Sequence, residues 1–185
     1  MRKLGCWIRF GVRRMSQLVS GDREMSLSRF KKHLATSEER AELIDRTRWL
    51  ADFSWLQIVR LSDFIDVYEI GAGEILYVEG NHELYLGLIS KGRVSVQKMD
   101  KDGNIKVIAA LGPGKTFGEM SLIDGQPRSA SVKTELKTTL LTLKKENFDR
   151  LIAERPKLAI QILLKLSKLM SERLRLTSGR LIDYL

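Results

Sequence analysis

The sequence predicts a mainly β chain with flanking helices, an α+β arrangement. Eight short antiparallel strands close into a sandwich or barrel between N-terminal helices and one long C-terminal helix. Three observations carry the prediction. Between Asp66 and Leu143, short alternating runs are separated by glycine turns, the punctuation of two-layer antiparallel folds. Ahead of them, Thr36-Ser37-Glu38-Glu39 has the form of a capping box, in which a hydroxyl and a carboxylate satisfy the free N–H groups of a helix start. Behind them, Pro156 precedes a long stretch with helical apolar spacing, and proline suits the first turn of a helix.

In chain order, residues 1–35 read as a basic extension expected to be flexible. Leu4, Ile8, Val12, Met15 and Val19 fall at helical spacing among Arg2, Lys3, Arg9, Arg13 and Arg14, a pattern that would let residues 1–20 lie on an anionic membrane surface. Gly5, Gly11 and Gly21 weaken such a helix, and a loose tail is the preferred reading. Translation from Met15 or Met25 is another. Basic residues recur through the would-be apolar region, so the stretch does not read as a signal peptide. Arg13-Arg14-Met15-Ser16 resembles a basophilic kinase site, a pattern that basic tails produce readily by chance.

Residues 36–65 form the N-terminal helices. One runs from the capping box to about Arg48 and a second from about Ser54 to Phe64. Trp49, Phe53, Trp55, Leu56, Val59 and Phe64 are packing residues on them. Residues 66–145 hold the strands, read as 67–70, 74–78, 84–90, 93–99, 104–111, 115–117, 129–134 and 138–143. Residues 146–185 hold a helix to about Glu154 and then the long one, from Lys157 to about Tyr184. On the latter, Leu158, Ile162, Leu166, Leu169, Arg173 and Leu176 follow a 4-3-4-3 spacing, close to a heptad seam. Such a stripe suits packing on the strands and on a second helix, so a homodimer is expected.

Composition narrows the function. The 185 residues carry 43% hydrophobic and 30% charged side chains and a net charge of +9. That charge sits at the ends: residues 1–33 carry +7, residues 34–143 carry −3 and residues 144–185 carry +5. No apolar run is long enough to span a bilayer. The single cysteine, Cys6, excludes an intrachain disulfide and suits a reducing compartment, so a cytoplasmic location is expected. His33 and His82 are far apart with no cysteine near either, which argues against a zinc site and, with no nucleophile–base pair visible, against an enzyme. No cofactor is called for.

The informative stretch is Phe117 to Val132, F-G-E-M-S-L-I-D-G-Q-P-R-S-A-S-V. Arg128 offers a planar fork suited to two phosphate oxygens. Small residues around it expose backbone N–H groups that can nest an anion. Glu119, when ionised, only accepts hydrogen bonds and so calls for hydroxyls. Together they suit an anion beside a sugar. An ion pair between Glu119 and Arg128 that merely closes a loop is the competing reading.

The order F-G-E-M-S-L-x-x-x-x-P-R-S-A resembles the phosphate-binding cassette of the cyclic nucleotide-binding domain family. The runs G-A-G-E-I-L-Y-V-E-G and L-Y-L-G-L-I-S-K-G-R-V-S-V resemble the β-roll, or jelly roll, that precedes it. The resemblance implies a cyclic nucleotide as ligand, bound through Phe117, Gly118, Glu119, Met120, Ser121, Arg128, Ser129 and Ala130. It gives Glu119 to the ribose 2′-hydroxyl and Arg128, with Ser129 and nearby backbone N–H groups, to the cyclic phosphate. Glu172 to Ser178 resembles the helix segment that closes over the base in bacterial catabolite activators, which makes Arg173, Thr177 and Ser178 candidate base contacts, although the segment lies about one helical turn further from its proline. Serine after the arginine occurs in cAMP-responsive activators and in members that prefer guanine. The expectation is therefore a cAMP sensor that signals through its C-terminal helix to an unidentified protein. The alternatives are a cGMP sensor, a β-roll scaffold that binds no nucleotide, and a truncated transcription regulator. The sequence up to Leu185 offers no helix-turn-helix, so direct sequence-specific DNA binding is not expected.

Overall fold

Period-two alternation sorts the apolar side chains of each strand to opposite faces, and two hydrophobic clusters result. The computed structural model describes residues 27–182; the amphipathic stretch and the Arg13–Ser16 motif lie outside the described residues. Among the described residues, nine strands form two antiparallel sheets. The first has the order β1 (Lys31–His33), β2 (Asp66–Ile70), β9 (Thr138–Lys144), β4 (Tyr85–Lys91), β7 (Thr116–Phe117). The second has β3 (Ile75–Tyr77), β8 (Ser131–Thr134), β5 (Val94–Met99), β6 (Ile105–Leu111).

Tyr68 and Ile70 of β2, Tyr85 and Ile89 of β4 and Leu140 of β9 pack with Leu76, Tyr77, Val94 and Val132 of the second sheet. Their neighbours in sequence, Val67, Leu86, Leu88, Leu141 and Leu143, belong to the other cluster, under the helices. Gly87 is the exception on β4. A Cβ there would come within 2.5 Å of the Phe117 ring, and the two residues are paired in register. The bare backbone is what lets Phe117 pack across it.

Helices α1 (Ser37–Arg46), α2 (Trp55–Ser62), α4 (Lys145–Glu154) and α5 (Pro156–Ile182) cover the first sheet; α3 (Glu119–Asp124) links β7 to β8. The predicted capping box is formed: Glu39 N donates to Thr36 Oγ1 at 3.2 Å and Thr36 N to Glu39 Oε2 at 2.7 Å. A second box, not foreseen, caps α2 through Ser54 and Gln57. Helix α1 ends two residues before the expected Arg48, which adopts φ 58, a left-handed conformation that a helix cannot continue through.

The eight expected strands are present, and two further elements correct the expectation. β1 falls in the extension expected to be flexible. It pairs with β2, Lys31 opposite Glu69. Just before it, Leu27 is fully buried, with its N–H donating to Glu83 Oε1 at 2.9 Å. Its Lys-Lys-His sequence carries no apolar alternation to reveal a strand. The second is α3, in a stretch for which no helix was expected.

Candidate ligand-binding site

At the end of β7 the chain enters Gly118 at φ +76 and turns directly into α3. Glycine is required twice here, by the left-handed backbone and by space. A Cβ would lie 2.4 Å from Arg128 Nη1 and 2.7 Å from the Tyr85 carbonyl oxygen. That closeness positions Arg128: its Nη1 donates to the Gly118 carbonyl at 3.0 Å. Its backbone is clipped to the Gly80-Asn81 turn, donating to Asn81 O and accepting from Gly80 N, both at 2.8 Å.

The Arg128 side chain is 2% exposed. Its guanidinium lies between two aromatic rings, 4.1 Å from the centre of Tyr77 and 4.4 Å from that of Tyr85. Ring faces are electron-rich and offset part of the hydration the cation has lost. Burial pushes both phenols well above the usual tyrosine range, although Arg128 pulls the other way, so both rings stay neutral. Arg128 Nε and Nη2 are buried and meet no hydrogen-bond partner among the described residues. A buried guanidinium with two unmatched donors carries a desolvation cost that an anion would relieve.

Glu119, in the first turn of α3, is 4% exposed. Its Oε1 accepts from Arg173 Nη1, and Arg173 Nη2 donates to the Thr116 carbonyl at 2.6 Å. Its Oε2 is buried and meets no hydrogen-bond partner among the described residues. The charge partner of Glu119 is thus Arg173 on α5, not Arg128, and the loop-closing pair of the competing reading is not formed.

These groups border a cavity of about 530 Å³. Phe117, Gly118, Glu119, Met120, Ser121, Arg128, Ser129 and Ala130 all line it, as do Arg173 and Thr177. Arg173 was expected at the base; its guanidinium is instead on the carboxylate. Thr177 donates its hydroxyl to the Arg173 carbonyl at 2.9 Å. Ser178 is exposed and is not part of the lining. Val96 and Lys98 of β5, Ile108, Ala109 and Leu111 of β6, and Leu176 also line it, with Tyr77 and Val132. Alternation along the β5–β6 hairpin marks several of them as sharing a face, but only the fold shows that this face meets the cassette. Lys98 Nζ donates to the Ser129 carbonyl at 3.1 Å and pairs with Glu79 at 3.2 Å.

The cavity therefore offers buried guanidinium donors at one point, a carboxylate acceptor at another and aliphatic walls between β6 and α5. That is a place for an anion, a hydroxyl and a flat apolar ring. Neither described histidine lines it, and among the described residues no cluster of three or more metal-ligating side chains occurs. Among them, no helix is long and apolar enough to cross a membrane.

Residues 68–155 match the family model described as the cyclic nucleotide-binding domain. The chain is similar to the crystal structure of a cyclic nucleotide-binding domain from Methylobacillus flagellatus KT, with 32% identity, a TM-score of 0.75 and coverage of 83% of this chain and 88% of the other. It is 27% identical over 126 residues to a CRP-like cAMP-activated global transcriptional regulator of Mycobacterium tuberculosis, covering 68% of this chain and 54% of the relative. It is 36% identical over 103 residues to the cyclic AMP receptor protein of Thermus thermophilus, covering 56% and 46%. The chain spans about half the length of these curated relatives.

Proposed function

The chain belongs to the cyclic nucleotide-binding domain family, and from that premise we propose that it is a cytoplasmic sensor of cAMP that passes its ligand state through α5 to a partner. The observation that carries the reading is Arg128: a buried cation stacked between Tyr77 and Tyr85, with Nε and Nη2 unmatched. The cyclic phosphate accepts from those donors. Glu119 Oε2 accepts from the ribose 2′-hydroxyl, and Arg173, bonded to Oε1, holds the carboxylate in place. The purine lies against Ile108 and Leu176, with Thr177 beside it. cAMP is favoured because the Arg128-Ser129-Ala130 context resembles cAMP-responsive activators and because the two curated relatives described above are named for cAMP. The Ser129 hydroxyl makes cGMP the rival.

Calorimetric titration with cAMP and with cGMP, on the wild type and on Arg128→Ala, tests this. One nucleotide should bind at micromolar concentration or tighter, and the substitution should cost about 2–5 kcal/mol through loss of a buried charged contact. Binding that survives Arg128→Ala unchanged would refute Arg128 as the phosphate contact, and no binding of either nucleotide would leave the β-roll as a protein-interaction scaffold.

A further inference from the structure

A second cleft, of about 500 Å³, opens where β1 and the 34–35 linker meet α1, β2 and α4. It shares no lining residue with the cassette cavity. Lys32, Arg40, Lys144 and Arg150 line it against only two carboxylates, Asp63 and Asp66, so it carries two positive charges in excess before His33 is counted.

The groups differ in how far they are committed. Arg40 is built into the wall, donating to Ser62 O at 2.8 Å, Ala35 O at 2.7 Å and Ser37 Oγ at 3.1 Å. Lys32 and Lys144 converge on the single carboxylate of Asp66, at 2.7 and 3.6 Å. Two ammonium groups with three donors each around one carboxylate leave both charge and hydrogen-bonding capacity. Arg150 donates to the Asp63 carbonyl at 3.2 Å and pairs at 3.3 Å with Glu154, which lies outside the lining.

We propose that this cleft is a second anion site, taking the dianion of a phosphate monoester between Lys32, Lys144 and Arg150. A dianion matches the excess charge, and three phosphate oxygens match ammonium and guanidinium donors arriving from β1, β9 and α4. The room beyond a bare phosphate accommodates what it is attached to, either a small organic molecule or a phosphorylated side chain. An anion here ties the N-terminal strand to α4, the helix that runs directly into α5, so the site is placed to bias the same helix the cassette touches.

Amide-resolved NMR titration of the full chain with inorganic phosphate, glycerol 3-phosphate and a phosphoserine tripeptide, at pH 8 and constant ionic strength, tests it. Phosphate monoesters are dianions at that pH, their second pKa being about 6. Saturable shifts should appear at residues 31–35 and 144–150. Lys144→Met should weaken binding by about tenfold or more, as loss of a charged hydrogen bond does. Asp66→Asn should tighten it by removing a competing charge, a gain that a misfolded variant could not give. Tighter binding of the tripeptide than of glycerol 3-phosphate would identify a phosphorylated side chain as the occupant, and the reverse a small molecule. Shifts reproduced by sodium chloride, confined to residues 117–130, or indifferent to both substitutions would overturn the proposal.

Discussion

Arg128 owes its position to two tyrosines as much as to its own hydrogen bond. The Tyr85 ring stacks on the guanidinium, but its hydroxyl is buried and meets no hydrogen-bond partner among the described residues. An unmatched buried hydroxyl costs about 1–3 kcal/mol, so Tyr85→Phe, which keeps the ring, should leave stability at pH 7 unchanged or higher. The pH dependence is more diagnostic. In the unfolded chain this phenol ionises near its usual value of about 10; in the folded chain burial holds it protonated well above that. Above about pH 10 the unfolded state therefore binds fewer protons than the folded state, and stability falls as pH rises. Urea unfolding at pH 8 and pH 10.5 should show a smaller loss in Tyr85→Phe than in the wild type. An identical loss would mean that Tyr85 is not the group responsible. Glu119 and Arg128 were legible in the sequence because both their chemistry and their spacing lie in one continuous run. Tyr77 and Tyr85 were not, since they reach Arg128 from two other strands. Arg173 was legible as a site residue, yet its partner was not, because a carboxylate in α3 and a guanidinium on α5 meet only in the folded chain.

At the scale of elements, α5 does two jobs along its length. Leu158, Ile162 and Leu166 are buried against the helices and the first sheet, whereas Ile160 and Leu164 face outward and are mostly exposed. Ile162→Ala should cost about 2–5 kcal/mol, the transfer and cavity cost of a buried aliphatic, and Ile160→Ala about 0.5 kcal/mol or less. Denaturant midpoints for the two single variants would check the contrast, and equal losses would refute the assigned faces. Beyond Leu166 the helix is tied to the roll by Arg173, through Glu119 and the Thr116 carbonyl. The longer strands and this helix were legible because their apolar periods run long enough to be recognised, whereas β1, Lys31–His33, has none. α3 was not: six residues span less than two turns, too few for a helical period to separate from a turn.

For the whole molecule, the heptad spacing in α5 now divides between two faces. The seam through Leu158, Ile162, Leu166 and Arg173 is taken up within the chain, by the core and by Glu119. On the opposite side, Ile160, Leu164, Ser167, Ser171 and Leu174 repeat at the same 4-3-4-3 spacing, and all five are exposed. Aliphatic residues at both ends with serines between them allow two helices to approach closely along a seam, which is the basis for proposing a homodimer. One face of α5 would then meet ligand and the other a second copy, so any ligand-driven movement of α5 would be felt at the interface. Ile160→Lys with Leu164→Lys places charges only at exposed positions, so the fold and nucleotide binding should persist while association is lost. Sedimentation equilibrium should give twice the chain mass for the wild type and the chain mass for the double variant. A wild type that sediments as a single chain, with and without nucleotide, would rule the dimer out and leave the outward face of α5 to a different protein.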